Sequence, residues 1–268
     1  MKTSSLFVFP KTFYVFLRLL QRDLILFKRQ YVDFTINAIV WPVQASIIFG
    51  YIFPLMGMNK GYGAFVIIAN VVFKCLYEAY LQASMAVADL NSYRSIEFEY
   101  TLPLPAWAIL AKYLSYFTIR CFALSIPSIA ISKLILYDRF SLEQWNPFHT
   151  FISFFATCMF FGFFSIWLAG KIKNQMEFEN VWVRCFDPMV NLGCYFFTWY
   201  TMHQFLPLLA YICLLNPVAL ASEALRSSFL GGVDVLPFWP CMAGLALQSI
   251  LMGIVAYKAI KKRLDFVV

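Results

Sequence analysis

The sequence predicts an all-α polytopic membrane protein, one domain over residues 1–268, and three observations carry that prediction. Hydrophobic residues make up 62% of the chain and charged residues 13%, where a soluble domain carries about 25% charge. The 30 Phe, 15 Tyr and 7 Trp are more than a soluble core of this size could hide. Apolar runs recur at about the 20 residues that an α-helix needs to cross hydrocarbon, separated by short charged stretches. A net charge of +7 would suggest nucleic acid in a soluble protein. Here the bases sit mostly at the ends of apolar runs, where they set topology, so no nucleic-acid partner is expected.

Residues 11–29 read as an amphipathic helix lying in the headgroup plane. Lys11, Arg18, Arg22 and Arg29 fall along one line of that helix, and Phe13, Phe16, Leu17, Leu20, Leu24 and Phe27 supply the apolar remainder. The first ten residues show no apolar core with a small-residue cleavage site, so the N-terminus is expected to stay in the cytoplasm. Six spans are expected, at about 32–55, 64–88, 106–134, 148–170, 185–203 and 236–257. Pro42 and Gln44 interrupt the first, and Pro127 is expected to kink the third or end its regular part. With both ends inside, 14 Lys and Arg fall on the cytoplasmic side, among them Arg184 and the tail bases Lys258, Lys261, Lys262 and Arg263. Only Lys60, Arg139 and Arg226, with Lys133 near the boundary, fall outside.

Three groups of polar residues stand out. Segment 89–105 holds Asp89, Arg94, Glu97 and Glu99 beside Tyr93 and ends at Pro103 and Pro105. Its charges bar it from lipid, so it surfaces between spans two and three. Within the spans, Lys74 and Glu78 form an i,i+4 pair, and Arg120 lies deep enough in span three to need a carboxylate, for which Glu78 is the candidate. These charges either brace the bundle or line a pathway. Segment 206–232 reads as two short apolar helices around Asn216-Pro217, with Glu223 and Arg226 at i,i+3 and Gly231-Gly232 at its end. Neither piece is long enough to span, which suggests a hairpin that re-enters the bilayer.

Catalytic motifs are not found. The chain has no GxxxxGK[ST], HExxH or GxSxG pattern, and His149 and His203 are isolated from other ligand types. Seven Cys form no CxxC pair and read as small buried hydrophobes, so neither a metal nor a cofactor is expected on this chain. Transport fits the layout, and an ion-coupled carrier or a non-transporting assembly factor are the alternatives. A carrier would show an internal repeat and midplane helix breaks, which are not evident here.

The layout resembles the transmembrane subunit of ABC-2 type transporters, exporters of drugs, lipids and lipid-linked glycans. The residues that carry the resemblance are Arg22-Asp23 in the N-terminal helix and Phe49-Gly50 with Met56-Gly57 at the outer end of span one. With them go the charged segment from Arg94 to Pro105, and Asn216-Pro217, Glu223, Arg226 and Gly231-Gly232 before the last span. Lys74 and Glu78 depart from that pattern. The resemblance implies a dimer, with a second copy or a related permease, working with a separate ATP-binding cassette ATPase that holds ATP and Mg. Asp89, Tyr93, Arg94, Glu97 and Glu99 would be the coupling contacts to that ATPase. Asn216, Pro217, Glu223 and Arg226 would shape the outer exit. The expected location is the plasma membrane (the inner membrane in a bacterium), with both termini cytoplasmic.

Overall fold

A computed structural model describes residues 8–102, 104–231 and 234–265. Pro103 and Gly232, two of the expected stop signals, lie outside the described residues, as does the side chain of Lys11. Among the described residues all regular structure is helical. Helix α1 is Val8–Arg29, and after Gln30 the chain enters α2, Tyr31–Leu55, whose outer part is a π-turn over Ile48–Ile52. Then come α3 (Tyr62–Asn91), the short α4 (Ser95–Thr101), α5 (Ala106–Leu136) and α6 (Pro147–Lys171). Helix α7 runs over 175–191 with a π-turn at Trp182–Phe186. Helices α8 (Trp199–Phe205), α9 (Pro207–Cys213), α10 (Pro217–Leu230) and α11 (Phe238–Asp265) follow.

Among the described residues five helices, α2, α3, α5 with its terminal turn, α6 and α11, are long and apolar enough to cross a membrane; the bent pair α9–α10 raises the number to six if it is one span. Helices α3 and α6 form the centre, and α10 packs between them and α11. The core is apolar and aromatic, with Phe117, Phe140, Phe161, Phe178 and Phe186 among its fully buried side chains. Cys75, Cys121 and Cys158, from three different helices, converge there with their Sγ atoms within 4.8 Å of one another. The seven cysteines are free.

The prolines explain how the helices meet. A proline removes the N–H that would satisfy the carbonyl four residues back, and in a membrane that carbonyl needs another donor. Pro42 frees the Ala38 carbonyl, which Ser128 Oγ of α5 reaches at 3.1 Å while sharing its proton with the Leu124 carbonyl of its own helix at 2.9 Å. Pro127 frees the Ala123 carbonyl, which accepts from the Tyr31 hydroxyl of α2 at 3.2 Å. Pro54 frees the Gly50 carbonyl, and the Arg139 guanidinium donates to it. Each of the two helices thus mends the other, and α5 runs through Pro127 to Leu136 instead of ending there. Where α2 crosses α3, a Cβ on Gly63 would meet the Gly50 Cα at 2.6 Å, so the two backbones touch at a glycine pair.

The expected fifth span, 185–203, is not among the helices long enough to cross. Residues 185–203 are not one helix; Cys194 is left-handed at φ 54 and the chain has no regular helix between Asn191 and Trp199. Helix α7 starts ten residues earlier. It runs beside α3 from the level of Asn91, whose side chain donates to the Lys173 carbonyl, past Tyr80, which packs on Phe178, Trp182 and Phe186. Arg184 therefore lies within α7 and not in a cytoplasmic loop. The aromatic edge contacts with Tyr80 outweigh the charges of 177–184, which remain on the exposed face of the helix.

Candidate functional site

Residues 89–101 fold as a tight elbow. Asp89 and Asn91 end α3, residues 92–94 turn, and Arg94 takes the left-handed conformation at φ 54. That conformation costs about 1–2 kcal/mol for a non-glycine residue. The Asp89 carboxylate accepts from the Ile96 N–H at 2.9 Å and so caps α4 from one turn before it, where Arg94 cannot. Asp89 is thus a positioning group at the base of the elbow. Tyr93 is 88% exposed at its tip, and Phe98 is 64% exposed beside it. Arg94 is exposed and its guanidinium lies 3.9 Å from the half-buried Glu97, too long for a strong pair.

Glu99 does not share that outer face. It is buried at 1% exposure, because Ile96 and Glu99, three residues apart, share the face of the short α4 that is turned to the bundle. Both of its carboxylate oxygens accept from the Lys112 ammonium of α5, at 2.7 and 2.9 Å. Lys112, equally buried, also donates to Asp23 of α1 at 2.9 Å. Arg22 closes the group, bonding Asp23 at 2.7 Å and donating to Glu99. Burial works against the charge of Arg22, but its bonds to Asp23 and Glu99 outweigh this and raise its pKa. Two cations and two carboxylates join α1, α4 and α5 directly behind the exposed elbow. Tyr100 lies against the same group, and burial followed by the nearby Glu99 charge pushes its phenol up to about 12.

Lys112 and Phe98 are functional candidates that the sequence reading missed. Lys112 had a signal: a lone cation in an apolar run implies a partner. Phe98 had none, since an aromatic between two glutamates reads as the buried residue of that turn.

The intramembrane charges come together as expected. Lys74 Nζ lies 2.6 Å from one Glu78 oxygen and Arg120 Nε 2.7 Å from the other. The second contact is close but out of line for a hydrogen bond, and the Arg120 guanidinium also lies 4.4 Å from the ring centre of Phe34. Lys74 and Glu78 line a cavity of about 690 Å³ between α2, α3 and α5, closed on one side by Trp182 of α7. Arg120 braces Glu78 from behind.

The hairpin of 206–232 is two helices bent by 89° at Asn216-Pro217. Asn216 caps α10 by accepting from the Val218 N–H at 3.0 Å, and its amide donates to the Met189 carbonyl at 2.7 Å. Pro217 takes the first helical position, where no N–H is required. Gly231 ends α10 in the left-handed conformation at φ 52. Glu223 and Arg226 are fully buried, not surface groups. Arg226 donates to the carbonyls of Cys194 and Tyr195 at 2.5 and 2.8 Å, and more weakly to those of Phe65 and Phe197. Glu223 accepts from the N–H groups of Leu236 and Trp199. The pair supplies the partners that the irregular backbone of 192–198 would otherwise lack at this depth.

The hairpin and the elbow sit at opposite ends of α3, one beside Phe65 and the other after Asn91. The family model of the ABC-2 type transporter matches residues 14–230. The chain belongs to the ABC-2 type transporter family. The match takes in the elbow, the ion group at Lys112, the intramembrane charges and the hairpin up to Leu230. It makes the chain a multi-pass membrane protein and a permease subunit of a transporter, a class that works with an ATPase subunit. The comparison with individual curated proteins found no match.

Proposed function

We propose that this ABC-2 permease subunit exports an amphipathic substrate, a drug, lipid or lipid-linked glycan, using ATP hydrolysed on a separate ATPase. The single observation behind this reading is the elbow at Tyr93, Arg94 and Phe98, backed by the buried ion group of Arg22, Asp23, Glu99 and Lys112. Two exposed aromatics beside a charged residue suit a partner with an apolar socket and a polar rim. The ion group joins the elbow to α1 and α5, so a push on the elbow moves three helices together. Glu97 and Arg94 set the rim charge, Asp89 holds the elbow, and Glu99 passes the load inward. ATP and Mg belong to the partner; this chain binds no cofactor. Two permease chains form the working unit, identical or related, in the plasma membrane with both termini cytoplasmic. Asn216, Pro217, Glu223 and Arg226 keep the outer hairpin folded at the exit.

The test is co-purification. Wild-type permease pulls down its P-loop ATPase from membranes, and Tyr93→Ala with Phe98→Ala loses it while the helical circular dichroism is unchanged. Full retention of the ATPase by the double variant would remove the elbow from the interface. A wild-type chain that purifies with no ATPase, yet carries substrate against an ion gradient, would replace the reading with an ion-coupled carrier.

A further inference from the structure

The cavity between α2, α3 and α5 has a charge that its own walls leave uncompensated. Lys74 and Arg120 share the single carboxylate of Glu78, so the three groups carry one formal positive charge. Lys74 lines the cavity. On the α5 wall, Ser125 and Ser132 are buried at 3% and 0% exposure, and neither hydroxyl has a hydrogen-bond partner. Both line the cavity. A buried hydroxyl without a partner and an excess ammonium charge are each costly at membrane depth. Trp41, Tyr77 and Trp182 supply apolar and stacking surface around them.

We infer that this cavity seats an anionic group, a phosphate or a carboxylate, carried by the amphipathic substrate, with Lys74 as its charge partner and one of the α5 hydroxyls, Ser125 or Ser132, as donor. The inference rests on the export reading and names its substrate class. A cationic substrate would face Lys74, whose ammonium already holds one Glu78 oxygen, with the Arg120 guanidinium beside the other. A neutral one would leave the positive charge unanswered. An anion bonds the ammonium and takes a hydroxyl donor from the α5 wall, and charge-assisted bonds are the strong ones. The apolar remainder of the substrate would lie along the aromatic wall.

Binding is measured on the full chain in phosphatidylcholine nanodiscs by tryptophan fluorescence, with dodecyl phosphate, laurate and the neutral dodecyl maltoside as probes. The two anions saturate the wild type at lower concentration than the maltoside does, and the tighter anion identifies the group. Lys74→Met weakens anion binding by roughly tenfold, the loss of one charge-assisted bond. It leaves maltoside binding unchanged, and Lys74→Arg restores the anions. Glu78 keeps Arg120 in Lys74→Met, and an unchanged helical spectrum confirms that the variant is folded. Equal affinity of Lys74→Met and wild type for dodecyl phosphate overturns the inference. So does a wild type that binds dodecyl maltoside as tightly as the anions. The assay needs no ATPase, so loss of ATP-driven coupling with intact anion binding counts against the export reading alone.

Discussion

Lys112 holds its ammonium in a place that water barely reaches, with three carboxylate contacts to keep it there. Removing one partner of a buried ion pair leaves the other charge without compensation, at a cost of about 3–5 kcal/mol. Lys112→Met is therefore expected to lower the thermal unfolding midpoint strongly. Lys112→Met combined with Glu99→Leu is expected to cost less than the sum of the two single changes, because the second removes the charge that the first strands. Additive losses would mean that the two side chains act independently. Arg226 has a different task, since its partners are mostly backbone carbonyls. Arg226→Met is expected to cost about 3 kcal/mol and to open the 192–198 stretch first, seen as faster amide exchange there than in α10. Uniform exchange across both would contradict a local brace.

At the scale of helices, the exchange between α2 and α5 makes a graded prediction. Each of the two carbonyls freed by Pro42 and Pro127 takes one hydroxyl from the facing helix. Loss of one such bond costs about 1 kcal/mol. Ser128→Ala in the wild type is expected to lower stability by that amount, and Ser128→Ala in a Pro42→Ala background by much less, since α2 then bonds Ala38 itself. The same loss in both backgrounds would show that the hydroxyl does not serve the proline. These bonds also mark the limit of the sequence reading. The proline positions were legible as weak points in spans one and three, but the hydroxyl that mends each lies about 90 residues away in the chain, so a kink or stop at Pro127 was the local expectation. Helix α7 was missed for a related reason. Its charges at Glu177, Glu179 and Arg184 read as a loop, while Tyr80, which draws Phe178 and Trp182 into the bundle, is a hundred residues earlier. The hairpin was legible because Asn216-Pro217 and Gly231 act locally, as cap, first-turn proline and left-handed end.

Across the whole molecule, the elbow and the hairpin sit at opposite ends of α3, and Lys74 and Glu78 lie between them on the same helix, with Arg120 facing them from α5. The Glu78–Arg120 pairing was legible because an unpaired arginine at that depth has few carboxylates to choose from. The inward turn of Glu99 was not, because a seven-residue helix divides its charges between two faces only once its packing is known. The central claim is that force enters at the exposed elbow and passes through the Lys112 ion group to the spans. Coupled ATP turnover in the reconstituted permease–ATPase complex tests it most directly, with Arg94→Glu and Glu97→Arg combined on an otherwise unchanged elbow. The account predicts that the ATPase still hydrolyses ATP while hydrolysis no longer drives transport. Wild-type transport per ATP hydrolysed in that double variant would contradict it.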